Sequence, residues 1–304
     1  MLSAKPWKPD AIIRLFLSVF VCILAGSLLP GFWHSTGGGT ASARLLLLLG
    51  CLSIGCLMAT LVLINRPWPL ETFDRRLLLV MVFFATGFLA GAFAQRLSGN
   101  HSAEPSIGRM VLGSLSFQGA GLILIAGFLR EHQTNWAEGF GLGNHWRRAL
   151  VVGLLTALVF LPIGWGLQQA SALVMTHVPH VNLKPEEQSS VHALRVAVSL
   201  WKRLALGAAA IFLAPLAEEM LFRGILYPAI KQAGFPRVAL WGTALLFALV
   251  HVNLVTFVPL AVLALILTAL YERTNNLLAP IAAHAMFNAL NFVTLFLLQN
   301  RSGA

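Results

Sequence analysis

Charged residues are scarce in this chain. Of its 304 residues only 11% are charged, whereas 58% are apolar and the mean hydropathy is +0.78. Soluble domains carry about 25% charged residues. The chain therefore lacks the polar surface that a water-soluble fold needs, and its composition predicts an integral membrane protein.

Cysteine is nearly absent as well. Cys22, Cys51 and Cys56 all lie in apolar runs, which excludes a disulfide framework or a thiolate metal site and indicates small buried or lipid-facing side chains. The net charge of +10 does not indicate a nucleic-acid partner. Its Lys and Arg residues stand singly or in pairs between apolar runs and form no basic helix face.

Long apolar stretches fill most of the chain instead. A membrane-spanning helix takes ~20 mostly apolar residues, and two of the last four stretches are shorter than that. We therefore predict an all-α, polytopic membrane protein with eight or nine transmembrane helices, the active-site helices lying in the C-terminal half. The stretches are about 11–33, 45–64, 77–95, 107–129, 149–176, 204–226, 238–251, 256–271 and 277–298.

The N-terminus has the basic flank of a signal peptide. Lys5, Lys8 and Arg14 precede an apolar run, but the run ends near Pro30 and the Gly-rich loop after it is too long for a cleavage region. We predict a retained first helix.

The loops on the side of the N-terminus hold the larger share of Lys and Arg, which favours a cytoplasmic N-terminus.

One long polar insertion, residues 177–203, interrupts the apolar pattern. Val191, Leu194, Val198 and Trp201 recur in it near helical spacing. This spacing fits an amphipathic helix on the membrane surface, placed as a lid over a site. A solvated connector fits it equally well.

Four ionisable residues lie inside apolar segments, all in the last third of the chain. Glu218 and Glu219 are the two of eleven acids that do so, and His251 and His284 are the two of nine histidines. A charged side chain at the centre of a bilayer costs about 2.5–3.5 kcal/mol or more. Such residues are retained where they face one another inside the protein, so we predict that they meet in one pocket.

Their spacing places them on helix faces. Glu219 and Arg223 are four residues apart and can form an ion pair, while Glu218 is turned ~100° from Glu219. Phe247 and His251 have the same spacing on the following predicted helix. The spacing alone does not decide which glutamate acts as a base.

Together these residues resemble the three signature motifs of the CPBP (Abi) family. That family contains the CAAX prenyl endopeptidases of the Rce type and bacterial relatives that process peptide precursors or bacteriocin leaders. The resemblance covers about residues 140–295. The motifs are Glu218-Glu219-x-x-x-Arg223, Phe247-x-x-x-His251 and His284-x-x-x-Asn288.

The resemblance implies an intramembrane endopeptidase. Glu218 would activate a water molecule for attack on the scissile carbonyl, and His251 would help to hold that water. His284 and Asn288 would stabilise the oxyanion of the tetrahedral intermediate. The partners implied are membrane lipid and a peptide or protein substrate that enters from the membrane, and the location implied is the bacterial cytoplasmic membrane.

Two parts of this implied site stay open. Glu219 and Arg223 would fix the helix and the local electrostatics. A metal ion, Zn²⁺ first, has its candidate ligands in Glu218, His251 and His284, since carboxylates and imidazoles bind zinc. The family has been described both as metal-dependent and as glutamate-based, and the sequence has no His-Glu-x-x-His motif.

The predicted organisation has three parts. Residues 1–135 form N-terminal transmembrane scaffold helices, 136–298 form the CPBP-type protease core, and 299–304 form a short tail.

Two other functions compete with the protease. One is a non-proteolytic membrane scaffold or immunity factor that retains the motifs, and the other is an ion-coupled transporter, which the missing internal repeat disfavours.

Overall fold

The computed structural model of the chain describes residues 4–35, 115–177, 191 and 199–302. Across these residues every regular element is a helix, which confirms the all-helical prediction there. The predicted spans at 45–64 and 77–95, and most of the insertion at 177–203, lie outside the described residues.

The chain divides into two compact units, and one of them is built from residues 6–35 and 115–135. It holds helix α1, Pro9–Ser35, and helix α2, Ala120–Glu131, which a π-helical turn, Leu115–Gly119, precedes. Arg14 lies inside α1 and is buried, although the sequence placed it in the basic flank ahead of the apolar run. Ion pairs with Asp10 and Glu131 compensate its charge.

The other unit holds residues 4–5 and 136–302. Its helices are α3, Trp136–Phe140; α4, Trp146–His177; α5, Leu200–Gln232; α6, Pro236–Leu249; α7, Leu254–Thr274; and α8, Leu278–Ser302. One boundary between the two units falls between Asn135 and Trp136.

Four helices in the described part are long and apolar enough to cross a membrane. They are Trp146–His177, Leu200–Gln232, Leu254–Thr274 and Leu278–Phe296, whereas Pro236–Leu249 is apolar but shorter. These correspond to the last five predicted stretches. The described residues therefore indicate an integral membrane protein.

Helix α4 packs along α8 at very short range, and α7 packs against both. The approach depends on Gly153, because a Cβ atom there would stand 2.3 Å from the carbonyl oxygen of Ala279. Only a residue without a side chain fits such a contact. The close packing fixes the position of α8, which carries the third motif.

The connection between α7 and α8 is anchored to the segment between α3 and α4. Asn276 is fully buried, and its amide donates to the carbonyl oxygens of Asn144 at 2.6 Å and Leu142 at 3.4 Å. Its own side-chain oxygen accepts from the backbone N–H of Leu278 at 2.8 Å. The start of α8 is thereby held by hydrogen bonds on both sides of Asn276.

Lys5 packs into this same unit. Its Nζ donates to the carbonyl oxygen of Gly139 at 2.9 Å and lies 5.8 Å from the ring centroid of Tyr271. Burial lowers the pKa of the Lys5 ammonium from its usual value.

Candidate active site

The first motif lies in α5, where the backbone alternates between two helix types. The segment Ala214–Glu219 is α-helical, while Ala209–Leu213 before it and Met220–Leu226 after it are π-helical. A π-helical turn takes the backbone out of the regular hydrogen-bond pattern and is found frequently at functional sites. Glu218 and Glu219 are both buried.

Glu219 is the centre of a buried ion-pair network. Its Oε1 accepts hydrogen bonds from Arg223 Nη1 at 2.8 Å and from His284 Nδ1 at 2.9 Å. None of the three residues is more than 3% exposed. The ion pair predicted from the spacing of Glu219 and Arg223 is confirmed. The network also brings His284 of the third motif to the first motif.

Arg223 connects this network to a third helix. Its Nη2 donates to the carbonyl oxygen of Ala264 on α7 at 3.2 Å. Buried charges are tolerated when they are paired and hydrogen-bonded, and removal of one partner from a buried pair costs about 3–5 kcal/mol. The network therefore holds α5, α7 and α8 in one arrangement.

Glu218 has a different environment from its neighbour. The residue is 7% exposed, against 0% for Glu219, and among the described residues no hydrogen-bond donor is paired with its carboxylate. Of the two glutamates, Glu218 is the one whose oxygens are not occupied by a described side chain.

His251 lies just beyond a helix and not on it. The spacing predicted that Phe247 and His251 share a helix, but α6 ends at Leu249 and His251 stands in the turn that follows. Its Nδ1 is 2.7 Å from the carbonyl oxygen of Phe247. A carbonyl only accepts, so this nitrogen carries the proton and Nε2 keeps its lone pair when the ring is neutral.

Asn288 lies one turn beyond His284 on α8. Its Nδ2 donates to the carbonyl oxygen of Ala210 at 2.8 Å, within the first π-helical segment of α5. An amide nitrogen has two protons, so this bond orients the side chain and leaves one N–H for another acceptor.

The candidate metal ligands do not assemble into a metal centre. Among the described residues no three His, Cys, Asp or Glu side chains stand close enough together to hold a metal ion. Each candidate histidine has Nδ1 bonded, His284 to Glu219 and His251 to a carbonyl group, so Nε2 is the nitrogen of each ring that could face a metal ion. The described residues thus hold no assembled group of three ligands, and we derive no step through a metal.

Sequence reasoning missed the backbone groups of the site. The carbonyl oxygens of Ala210 and Ala264 orient Asn288 and Arg223, yet alanine side chains give no chemical signal. The sequence gives only a weak signal for the Ala264 carbonyl group. It is the threonine four residues later, since Thr268 Oγ1 donates to the same oxygen at 2.9 Å.

Comparison with known proteins agrees with the motifs. Residues 200–290 match the family model described as type II CAAX prenyl endopeptidase Rce1-like. The uncharacterized protein YpbD of Bacillus subtilis (strain 168) is 33% identical over 78 residues, which cover 24% of this chain and 37% of that protein. The chain thus spans little more than a third of the length of this curated relative. No solved structure gives a significant match.

The match confirms the resemblance to the CPBP family. The segment 200–290 contains all three motifs, from Glu218 to Asn288. The class of protein that this segment resembles is that of the helical membrane proteases, and within it the Rce1-like, type II CAAX prenyl endopeptidases.

Proposed function

We propose that the protein is an integral membrane endopeptidase in which Glu218 activates the attacking water. The observation that carries this proposal is the division between the two adjacent glutamates. Glu219 Oε1 is bonded to Arg223 and His284 and its Oε2 is fully buried, whereas Glu218 is slightly exposed and has no described partner. A general base needs a free acceptor oxygen within hydrogen-bond reach of the proton that it abstracts, here a proton of the attacking water.

The chemistry follows from these positions. The Glu218 carboxylate takes a proton from water, and the water oxygen attacks the scissile carbonyl carbon. The carbonyl oxygen becomes an oxyanion as its π electrons move onto it. When the intermediate collapses, the C–N bond breaks and the leaving amine takes the proton from Glu218. The products are a free carboxyl group and a free amine.

His251 orients the water in this scheme. Because its Nδ1–H donates to the carbonyl of Phe247, Nε2 offers a lone pair that accepts a hydrogen bond from the water. Two acceptors, Glu218 and His251, then fix both water protons and direct the oxygen lone pair to the substrate.

The oxyanion is stabilised by α8. Asn288 supplies its second amide N–H, and His284 supplies Nε2–H when the ring carries two protons, a charge that the Glu219 carboxylate balances. A preorganised donor of this kind contributes about 10²–10³ in rate in other hydrolases.

The substrate in this proposal is a peptide or protein that reaches the site from the membrane. Prenylated CAAX termini, peptide precursors and leader peptides are the substrate classes that the family resemblance offers. The protein would lie in the bacterial cytoplasmic membrane with eight or nine transmembrane helices and a cytoplasmic N-terminus. Lipid and the substrate are its partners, and nucleic acid is not.

Comparison of peptide termini in membranes tests the function. Membranes from cells with the wild-type protein should contain new N- and C-termini that disappear in a Glu218→Ala variant expressed at the same level. A matched control is Glu138→Ala, which removes an exposed acid outside the site. An internally quenched peptide ending in a prenylated CAAX sequence provides the corresponding assay for the purified protein.

If the termini and the cellular phenotype are the same in wild type and in Glu218→Ala, the protease proposal is wrong. A phenotype that needs the protein but not Glu218 or His284 indicates the non-proteolytic scaffold or immunity factor instead.

A further inference from the structure

The ring of Phe247 lies among the charged and basic groups of the site. Phe247 is fully buried, and its ring centroid is 4.9 Å from that of His251 and 5.7 Å from that of His284. The guanidinium carbon of Arg223 lies 4.4 Å from the same centroid. One aromatic side chain thus contacts a residue from each of the three motifs.

The backbone of Phe247 makes a further contact with His251. Near the end of α6 the N–H of His251 bonds to the carbonyl oxygen of Ala248 at 3.3 Å, not to that of Phe247. The last carbonyl groups of a helix need partners from outside the regular ladder. The imidazole of His251 is the partner of the Phe247 carbonyl, at 2.7 Å. His251 is therefore held through its Nδ1 and through packing of its ring by the same residue.

The turn that carries His251 is itself held in a strained conformation. Val252 has a φ of 47°, a left-handed conformation that is an outlier for a β-branched residue. Asn253 then caps α7, with its side-chain oxygen accepting from the N–H of Thr256 at 3.0 Å. Strain of this kind persists where surrounding contacts enforce it, and the residues on both sides of Val252, His251 and Asn253, are hydrogen-bonded through their side chains.

We infer that Phe247 is a positioning residue that holds His251 in the tautomer protonated at Nδ1 and fixes the ring planes of His251 and His284. The inference deepens the proposed function and depends on it for its catalytic consequence. Phe247 does not touch the reacting atoms. It acts through the two histidines, so that Nε2 of each ring faces the water and the carbonyl oxygen.

An aromatic ring is needed for this role. Its flat faces pack against imidazole rings in offset or edge-to-face arrangements, and its negative face attracts the Arg223 guanidinium. A leucine side chain fills part of the volume but presents no flat face and no quadrupole. Substitution of Phe247 by leucine therefore leaves both histidine rings free to rotate, while the charges of the Glu219 network remain.

Nuclear magnetic resonance of the full-length protein in lipid nanodiscs, with ¹⁵N-labelled histidine, tests the positioning directly. The His251 signals are assigned from their absence in His251→Gln. We expect the wild type to show one His251 tautomer, with the proton on Nδ1. Phe247→Leu keeps the backbone carbonyl but removes the ring that packs against His251, so the imidazole can rotate away from that carbonyl and should show averaging between tautomers. Phe247→Tyr, which keeps the ring, should retain the single tautomer.

Kinetics with the quenched prenylated CAAX peptide supply the second readout. Phe247→Leu should lower kcat by ~10–100-fold, as expected for misplaced catalytic groups, with KM changed less than about twofold. The matched control is Phe160→Leu. Phe160 is also buried, and its ring packs against that of Phe287, with the centroids 5.6 Å apart. This control should keep kcat and the His251 tautomer.

The inference is overturned by a wild-type His251 protonated at Nε2, or by Phe247→Leu with an unchanged tautomer and unchanged kcat. If Phe247→Leu does not fold, the wild-type tautomer decides. Failure of the proposed function looks different. In that case the peptide is not cleaved by any variant, while the tautomer still reports whether Phe247 orients His251.

Discussion

Two adjacent glutamates of α5 differ because of their partners. Glu219 has Oε1 bonded to Arg223 and His284, and its Oε2 is buried without a partner among the described residues. Glu218 is slightly more exposed and has no donor paired with its carboxylate among those residues. The same side chain therefore serves as a fixed anion at position 219 and as the proposed base at position 218.

The ion pair of this network was predictable from spacing, whereas its third member, His284, was expected in the same pocket but not in a bond to Glu219. Glu219 and Arg223 are four residues apart on one helix, so helix geometry alone brings them together. The bond from His284 depends on how α8 packs against α5, which local spacing does not contain. The alanine carbonyl groups that orient Arg223 and Asn288 have no side-chain signal at all.

Glu219→Gln should destabilise the protein strongly. The substitution leaves the buried Arg223 guanidinium without its counter-charge, and we expect a loss of about 3–5 kcal/mol in the free energy of unfolding. Chemical denaturation of the purified protein in mild detergent measures this loss. The control Glu138→Gln, at an exposed position, should change it little.

A double variant sharpens that test. Removal of both charges, in Glu219→Leu with Arg223→Met, should restore part of the lost stability, because a buried pair replaced by apolar residues is often neutral. If Glu219→Gln is as stable as the wild type, Glu219 is not the anchor of the network.

At the scale of helices, the apolar pattern predicted α4 to α8 but placed the C-terminal end of α6 too late in the chain. The predicted stretches 149–176, 204–226, 256–271 and 277–298 correspond to α4, α5, α7 and α8. The stretch 238–251 was expected to include His251, but α6 ends at Leu249. Hydropathy does not mark this end, since Val250 and Val252 continue the apolar pattern. The stop comes from the backbone of the turn, where Val252 is left-handed.

The contact between α4 and α8 gives a prediction at this scale. Gly153→Val should push the helices apart, because even a Cβ atom at this position would lie 2.3 Å from the Ala279 carbonyl oxygen. We expect lower thermal stability and lower cleavage of the quenched peptide, since α8 carries His284 and Asn288. Purified protein in detergent serves for both measurements.

Gly166 is the matched control on the same helix. A Cβ atom there would meet no atom within 4 Å, so Gly166→Val should leave stability and cleavage close to wild type. Equal behaviour of the two variants would contradict the close approach of α4 and α8 at Gly153.

At the scale of the whole molecule, composition was sufficient for the membrane assignment. A chain with 11% charged residues has too few of them to form a water-facing surface. In agreement, four described helices are long and apolar enough to span a bilayer. The division at residue 135 and the count of eight or nine helices stay predictions, because much of the N-terminal half lies outside the described residues. The predicted orientation rests on a small excess of Lys and Arg in the loops on the side of the N-terminus. Side-chain packing within the protein carries no information about which side of the membrane a loop faces.

Tags at the two ends of the chain test this topology. An N-terminal tag should be protected from added protease in right-side-out membrane vesicles and cleaved in inverted ones, as a cytoplasmic N-terminus requires. A C-terminal tag should behave like the N-terminal tag if the helices number eight and oppositely if they number nine. Cleavage of the N-terminal tag in right-side-out vesicles would contradict the predicted orientation.

The most direct test of the account measures cleavage and stability together in purified Glu218→Gln. Gln keeps the size and polarity of the side chain and removes its basicity. We predict that cleavage of the quenched peptide falls to background while the free energy of unfolding stays close to that of wild type, in contrast to Glu219→Gln. Substantial cleavage by Glu218→Gln would contradict the assignment of the base.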